Sequence, residues 1–260
     1  MKQDNHKLNS VEKALIILKS FSSDHSSWGV RELSAHLGFS PSTVQRLLQT
    51  LKESGFTDQD AITRQYRLGS IYFQFVHTLQ STHPISKAAL PYMRHLLSKT
   101  QETVHLNVID GMERLCIDNI ESSQSLKASM PVGSRSPLYA GASSKCLLAH
   151  SDEDFVDHYL KHTKLDAITE KTITQPESLR YDLRSVREKG YAESLGERNP
   201  GLGSLSAAIL GRRGELLASI SLAIPEIRFL NQNHRQKCLN ELLETAKEIS
   251  KTMGHLLQTD

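Results

Sequence analysis

The chain has 260 residues and a mass of 29.1 kDa, more than one ordinary hydrophobic core accommodates, which predicts two domains. Its 38% hydrophobic and 23% charged residues are typical of a folded protein and exclude disordered and fibrous classes. The 31 Lys and Arg nearly balance the 29 Asp and Glu, but the whole excess lies in the first 80 residues, where nine basic residues face seven acidic ones.

The sequence contains no membrane or export signal that we can identify. No stretch reaches the roughly 18 apolar residues that span a bilayer, and the first residues, MKQDNHKLNS, lack the apolar core of a signal peptide. The cysteines, Cys116, Cys146 and Cys238, are odd in number and far apart, which indicates reduced thiols. We therefore expect a cytoplasmic protein without membrane association.

Two helices are predicted first. Apolar residues recur every three or four positions over residues 10–21, which predicts an amphipathic helix with Ser10 as its N-cap. After a polar loop, a second helix is expected over residues 30–37, and it ends at Gly38, a residue type that favours the left-handed C-cap conformation.

A third helix follows after a tight turn. Ser40 precedes Pro41, the arrangement of an N-cap followed by proline at the first helical position, and Gly55 is expected to end the helix. Its buried stripe consists of Val44, Leu47, Leu48 and Leu51. Two short helices joined by a turn that contains glycine form the helix-turn-helix pattern.

The exposed face of this third helix suits DNA. Residues 34–52 contain no acidic residue, so phosphates can approach without repulsion, while hydroxyl, Gln and Arg side chains can contact phosphates and base edges. Residues 56–69 predict a small hairpin, or wing, that could enter the minor groove. The candidate DNA-contacting residues are Arg31, Ser40, Ser42, Thr43, Gln45, Arg46, Gln49, Arg64 and Arg67.

The remaining sequence predicts an α+β domain. A linker helix is expected over residues 70–80, up to the break at His83-Pro84, and strict alternation around Asp110-Gly111 predicts a β-hairpin. The other expected elements are a helix over residues 85–100, strands at residues 125–130, 203–210 and 216–223, and helices near residues 144–150, 153–161, 176–189 and 235–257. We therefore divide the chain into a winged helix-turn-helix domain (1–69), a linker helix (70–83) and an α+β domain (84–260).

These segments carry a resemblance that covers essentially the whole chain. SVEKALIILKSF, VRELSAHLGFSPSTVQRLLQTLKESGF and YRLG resemble the N-terminal domain of the IclR family of bacterial transcription regulators. LYAGASSKCLLA resembles the family's H-A-S-G-x-G-K-A-x-L-A, and GYAESLGERNPGLGSLSAAI resembles its G-Y-A-x-x-x-G-E-x-x-x-G-x-x-x-x-A-x-P. The matching positions are Lys145, Gly190, Tyr191, Glu197 and Gly201.

The resemblance implies a GAF-like effector-binding domain with a pocket on one face of a curved sheet. Carried over by position, the pocket would be lined by Ala142, Ser143, Ser194, Ser204, Ser221 and Ala223. Serine hydroxyls and free N–H groups at the start of the following helix would suit a small carboxylate. The alternative is that these small residues only let helix and sheet pack closely, but the convergence of small polar positions from separate segments favours the pocket. The loop departs from the family pattern at Tyr139, Ala142, Ser143 and Ser144, so a relative's effector cannot be assumed.

The implied function is a DNA-binding transcription regulator, either a repressor or an activator, whose operator affinity responds to a small organic acid or an aromatic catabolite. Reading two half-sites requires a homodimer, or a dimer of such dimers, since one domain makes few base contacts. The first helix and the linker helix are expected to form the dimer contact. The apolar residues of the linker helix are Ile71, Phe73, Phe75, Val76 and Leu79.

No catalytic, cofactor or metal motif is found. The sequence has neither a G-x-S-x-G elbow nor a nucleotide-binding glycine motif, and Cys146 falls on an apolar helical register that indicates a structural thiol. His158 and His162 are spaced i, i+4 but have no recognisable third ligand. Two alternatives stay open: an enzyme whose helix-turn-helix only mediates oligomerisation, and a ligand sensor that signals to a protein partner.

Overall fold

A computed structural model describes residues 9–22 and 24–255. The chain divides into two compact units, one ending at Leu79 and the other beginning at Gln80. This division falls within the predicted linker helix. Within the described ranges, no helix combines the length and apolarity needed to cross a lipid bilayer.

The N-terminal unit is a winged helix-turn-helix. Its helices are α1 (Ser10–Lys19), α2 (Val30–Leu37) and α3 (Pro41–Glu53), and its strands are β1 (Ser27–Trp28), β2 (Thr57–Gln59) and β3 (Tyr66–Leu68). The three helices pack around a core that includes the fully buried residues Ile17, Leu33, Val44, Leu48 and Tyr66. The wing is a three-stranded antiparallel sheet in the order β1-β3-β2. Strand β1 was predicted to be part of a polar loop, but Trp28 pairs with Tyr66 of the hairpin.

The helix ends are set by side-chain caps. Asn9, rather than the predicted Ser10, caps α1: its Oδ1 accepts from Glu12 N–H at 2.9 Å, and Glu12 Oε2 accepts from Asn9 N–H at 2.7 Å. Gly38 closes α2 with a φ of +69°, as predicted. Ser40 Oγ accepts from Thr43 N–H at 3.3 Å, so the predicted cap of α3 is present. Helix α3 ends at Glu53, two residues before the predicted Gly55.

The C-terminal unit is an α+β domain, which confirms the predicted fold class. The chain divides into its two units within α4 (Ile71–Thr82). The helices that follow are α5 (Pro84–Thr100), α6 (Ala142–Ala149), α7 (Glu153–His162), α8 (Pro176–Lys189), α9 (Glu226–Phe229) and α10 (Gln232–Thr252). Its strands are β4 (Thr103–Asp110), β5 (Glu113–Ile120), β6 (Arg135–Pro137), β7 (Ala192–Leu195), β8 (Leu202–Leu210) and β9 (Leu216–Pro225). They form one antiparallel sheet in the order β6-β5-β4-β9-β8-β7.

Some predicted elements of this domain are wrong. Residues 125–130 form no strand, because β6 pairs with β5 instead and Glu121 bonds the side chains of Lys127 and Ser129. Strands β6 and β7 and helix α9 were not predicted. The last helix begins at Gln232, with Asn231 as its N-cap, and ends at Thr252. The predicted continuation is therefore wrong over residues 253–255, and the predicted end at residue 257 lies outside the described residues.

Strand alternation gives the sheet two different faces. Successive side chains of a strand point to opposite faces, so alternate residues of β4, β8 and β9 share one environment. One face is apolar and packs against α5 and α10 through residues that include Val104, Leu106, Leu205, Ile220 and Leu222. The other face carries small and polar side chains, and α6 contacts β8 and β9 there. Those side chains include Thr103, His105, Asn107, Ser204, Ser206, Ser219, Ser221 and Ala223.

Candidate DNA-binding and effector sites

Helix α3, the helix predicted to contact DNA bases and therefore called the recognition helix, presents a polar, exposed face. Six candidates lie on α3 or at its cap, and all are exposed except the partly buried Thr43: Ser40, Ser42, Thr43, Gln45, Arg46 and Gln49. Gln45 Nε2 donates to Tyr66 Oη at 3.2 Å, and Gln49 Nε2 donates to Glu53 Oε1 at 2.9 Å. Within the described part of the chain, Arg46 pairs with no acidic side chain. Arg46 is therefore the candidate on α3 whose guanidinium group remains available for a DNA contact.

The remaining DNA-binding candidates differ in how they are held. Arg64 has a φ of +59° in the turn between β2 and β3, and its side chain is exposed. Arg67 donates to Asp58 Oδ2 through Nε at 3.2 Å and Nη2 at 2.8 Å, so its charge is already balanced. Arg31 is exposed on α2. Between the two wing arginines, this geometry favours Arg64 for phosphate contact.

The six predicted effector residues meet at one cavity of about 280 Å³ in the C-terminal unit. They come from the start of α6 and from β7, β8 and β9: Ala142, Ser143, Ser194, Ser204, Ser221 and Ala223. We call this space the serine-lined cavity. Register explains the convergence, since Ser204 pairs with both Ser194 and Ala223 in neighbouring strands.

The start of α6 is held by groups from the β7–β8 segment. Gly141 N–H donates to Glu197 Oε2 at 2.9 Å, and Ala142 N–H donates to Ser194 Oγ at 3.2 Å. The expectation that all N–H groups here are free for a carboxylate is therefore wrong for these two. The N–H of Ser143 has no acceptor among the described residues.

Lys145 and Glu197 form a buried ion pair beneath the cavity. The two residues match the family pattern, and the distance from Lys145 Nζ to Glu197 Oε1 is 2.7 Å. Hydroxyls of Thr169 and Thr172 donate to the Glu197 carbonyl at 3.2 and 2.7 Å. Glu197 thus fixes both the α6 start and the backbone that leads into Arg198.

Two residues that the sequence did not single out also line the cavity, Arg198 and His105. Arg198 is half-buried, and burial lowers its pKa. The His105 side chain lies beside Ser221 across the β4–β9 ladder, and its buried Nε2 has no hydrogen-bond partner among the residues that the structure describes. Strand alternation places His105 on the face of the sheet that lines the cavity. The sequence alone could not predict this position, because it does not give the register between β4 and β9.

His105 makes the stability of the domain depend on pH. Burial, together with the charge of Arg114, lowers its pKa from 6.5 to about 4. Between pH 6.5 and pH 4 the imidazole binds a proton in the unfolded chain but not in the folded one. The contribution of His105 to the free energy of unfolding is therefore complete above about pH 6.5 and falls as the pH is lowered. We expect wild type to lose about 3 kcal/mol through this group between pH 7.5 and pH 4.

The check is urea unfolding at a series of pH values for wild type and His105→Gln. The variant, which cannot take up this proton, should show a shallower loss of unfolding free energy below pH 6.5. Equal slopes for the two proteins would contradict the assignment.

The described cysteines and histidines do not form a reactive or metal-binding site. The three thiols are free and buried, and burial raises the pKa of Cys146 to about 12. The rings of His158 and His162 lie 4.2 Å apart, but among the described residues no group of three His, Cys, Asp or Glu side chains could hold a metal ion. Cys146 is thus a poor nucleophile near neutral pH.

Two family models match the chain. Residues 10–61 match the model described as the IclR helix-turn-helix domain. Residues 76–251 match the model described as the C-terminal part of the bacterial transcriptional regulator IclR, and this match alone covers more than half of the chain.

Individual proteins are similar over nearly the full length. The HTH-type transcriptional regulator KdgR of Escherichia coli is 34% identical over 249 residues, or 95% of this chain and 94% of that protein. The crystal structure of the Thermotoga maritima IclR covers 95% of this chain and 99% of its own, with a TM-score of 0.78 and 28% identity. An IclR homologue from Microbacterium hydrocarbonoxydans, complexed with 4-hydroxybenzoate, has a TM-score of 0.82 at 21% identity over 94% of this chain and 99% of its own. At that identity the last comparison shows the fold alone.

Proposed function

The chain belongs to the IclR family of bacterial transcriptional regulators, and from this we propose that a small organic acid in the serine-lined cavity sets its affinity for operator DNA. Membership confirms the DNA-binding regulator expected from the sequence motifs. The observation that carries the proposal is an exposed Arg46 on α3 that pairs with no described acidic side chain, combined with a cavity in the C-terminal unit. In that cavity His105 Nε2 and Ser134 Oγ have no hydrogen-bond partner among the described residues.

The cavity favours an aliphatic acid over an aromatic one. The M. hydrocarbonoxydans homologue binds 4-hydroxybenzoate, a carboxylic acid with an aromatic ring. Among the described residues that line the serine-lined cavity, none is Phe, Tyr or Trp, and serine hydroxyls recur. An aromatic ring would find no Phe, Tyr or Trp side chain among these residues to pack against, whereas a polar chain would meet hydroxyl groups.

An effector changes operator affinity only if it prefers one arrangement of the DNA-binding heads. The proposed regulator therefore has two states, and the effector binds one of them more tightly. The protein would act in the cytoplasm and catalyse no reaction. We propose no enzymatic role, since the six predicted residues of the cavity carry only methyl groups and ordinary hydroxyls.

The test begins with DNA selection. The full chain is incubated with a randomised duplex library, and we expect enrichment of an inverted repeat whose half-sites lie about one helical turn or a multiple of it apart. Fluorescence anisotropy with the enriched duplex then measures how small organic acids change the affinity. Failure to enrich any sequence would contradict the DNA-binding part of the proposal, and a sensor that signals only to a protein partner would behave in this way.

Dimer formation is proposed to use the apolar surface of α4. Phe73 is 81% exposed and Leu79 is 64% exposed, although both are large hydrophobic residues. A water-facing surface of this kind is typical of an interaction site. In the homodimer, or in a dimer of such dimers, α1 would contribute Val11 and Leu15, which are also exposed.

Phe73→Asp is therefore expected to reduce the mass measured by light scattering and to weaken operator binding by roughly 100-fold or more, since a monomer reads one half-site. Tyr181→Asp is the matched control, because Tyr181 is similarly exposed, at 74%, but lies on α8. An unchanged mass for Phe73→Asp would exclude α4 as the dimer contact.

A further inference from the structure

Arg198 brings an unbalanced positive charge to the serine-lined cavity. The neighbouring Glu197 is occupied by Lys145, and Arg198 pairs with no carboxylate in the part of the chain that the structure describes. Its Cδ would lie 3.2 Å from a Cβ added at Gly141, so the side chain packs against the residue that caps α6. This places the guanidinium group beside the first turn of α6, where the Ser143 N–H is also unused.

A second guanidinium group lies behind the cavity wall. Arg114 is fully buried, and its Nε and Nη1 donate to Ser136 Oγ at 2.6 Å and Asn107 Oδ1 at 2.8 Å, both uncharged groups. Asn107 Nδ2 in turn donates to Ser221 Oγ of the cavity at 3.3 Å. Burial, and secondarily the charge of Arg198, lowers the pKa of Arg114 to about 10. A bound anion would relieve this repulsion.

The cavity also offers neutral groups that lack partners. His105 is 3% exposed, and its Nε2 forms no hydrogen bond with any described residue. The buried hydroxyl of Ser134 is likewise without a partner, and both residues line the cavity. Buried polar groups are rarely left unpaired, because the loss of their hydrogen bonds to water is not compensated. These two therefore suit the hydroxyl groups of a ligand.

We infer that the serine-lined cavity is specific for a short hydroxylated carboxylate, with Arg198 binding the carboxylate and His105 binding a hydroxyl group. This rests on the proposed function, since it names the class of ligand that the same cavity takes. Neither residue is among the six positions carried over from the family pattern. Arg198 supplies the charge-assisted hydrogen bonds, and His105 distinguishes a hydroxylated acid from a plain one.

The experiment uses matched three-carbon and four-carbon probes, so that charge and hydroxyl groups are varied separately. The first set is glycerate, propionate and glycerol, and the second is threonate, butyrate and erythritol. Calorimetric titration of the full chain should rank the hydroxylated acid first and the polyol last in each set. Arg198→Gln should weaken binding of all four acids by roughly 10- to 100-fold, the cost of a hydrogen bond to a charged group.

His105→Leu should weaken glycerate and threonate but leave propionate and butyrate unchanged. Arg184→Gln is the control, because Arg184 is an exposed arginine of α8 outside this cavity. Comparable wild-type affinity for acids and polyols would overturn the inference, as would unchanged acid binding by Arg198→Gln or no acid binding by wild type.

Operator binding without any acid separates this inference from the proposed function. Arg184→Gln, a change outside the cavity, should bind the selected duplex as wild type does. If wild type binds no duplex but shows the predicted probe ranking, the regulator proposal fails and the ligand assignment stands. If operator binding is normal and the acids do not bind, the ligand assignment fails and DNA binding stands.

Discussion

Replacing Lys145 by Met is expected to lower the unfolding free energy of the C-terminal unit by about 3–5 kcal/mol, because it leaves a buried carboxylate without its cation. Lys145 Nζ lies 2.7 Å from Glu197 Oε1 and 2.9 Å from Asp182 Oδ2, and the lysine side chain is 3% exposed. Burial disfavours the charged amine, but the two carboxylates outweigh this effect and raise the pKa of Lys145.

The same substitution should also loosen the serine-lined cavity. Glu197 accepts from the Gly141 N–H through its second oxygen, so one carboxylate joins the lysine to the first residue before α6. Without Lys145, the buried Glu197 carboxylate loses its cation, and displacement of Glu197 from this position weakens the bond to Gly141. We expect weaker effector binding in addition to the lower stability.

Denaturant unfolding followed by two signals measures the effect. Circular dichroism reports both units, whereas fluorescence reports the N-terminal unit, because Trp28 is the single tryptophan and lies in that core. For Lys145→Met, the transition seen only by circular dichroism should shift, and the Trp28 transition should not.

Two further variants separate the buried pair from a general loss of charge. Lys164 is 86% exposed and pairs with Asp166 at 2.6 Å, so Lys164→Met should change stability by less than about 1 kcal/mol. The double variant Lys145→Met/Glu197→Gln should recover part of the loss, since no unpaired buried Glu charge remains. A loss below about 1 kcal/mol for Lys145→Met alone would refute a stabilising role for the ion pair.

The sequence predicted those helices and strands whose hydrophobic periodicity is visible within a single continuous segment. The period of 3.6 identified α1, α2 and α3, and the period of two identified β4 and β5. Strands β1, β6 and β7 have two to four residues, too few to show a period, and their pairing depends on distant partners. Residues 125–130 alternate like a strand, but the edge of β5 is already taken by β6.

The sequence predicted the small, uncharged residues of the candidate site but not the contacts of its charged residues. Family positions gave the six small residues, and strand alternation explains why those on β8 and β9 share a face. The sequence also marked Lys145 and Glu197 separately, without showing that they pair across 52 residues of chain. Nothing local distinguishes Arg198, which has no acidic partner among the described residues, from Arg67, which pairs with Asp58. That difference exists only in three dimensions.

Arg46→Ala is expected to weaken operator binding by roughly 100-fold. Arg46 stands on the exposed face of α3, and a lost bidentate base contact costs about 1–3 kcal/mol. A homodimer loses this contact in both half-sites, which doubles the cost. Gln45 and Gln49 should matter less, because Tyr66 and Glu53 already engage their side chains. Anisotropy with the selected duplex gives the dissociation constants, and Arg184→Ala controls for loss of one exposed charge.

Arg46→Lys then shows whether the contact is to a base or to a phosphate. Lysine keeps the charge but cannot form the planar pair of hydrogen bonds to guanine, so a base contact predicts that Arg46→Lys stays weak and less selective. A phosphate contact predicts recovery by lysine, and in Arg46→Ala a salt slope reduced by about one per subunit. Because the N-terminal 80 residues have an excess of only two basic side chains, we expect few phosphate contacts, a moderate salt slope and the base-contact outcome. Wild-type affinity for Arg46→Ala would contradict the assignment of α3 as the recognition helix.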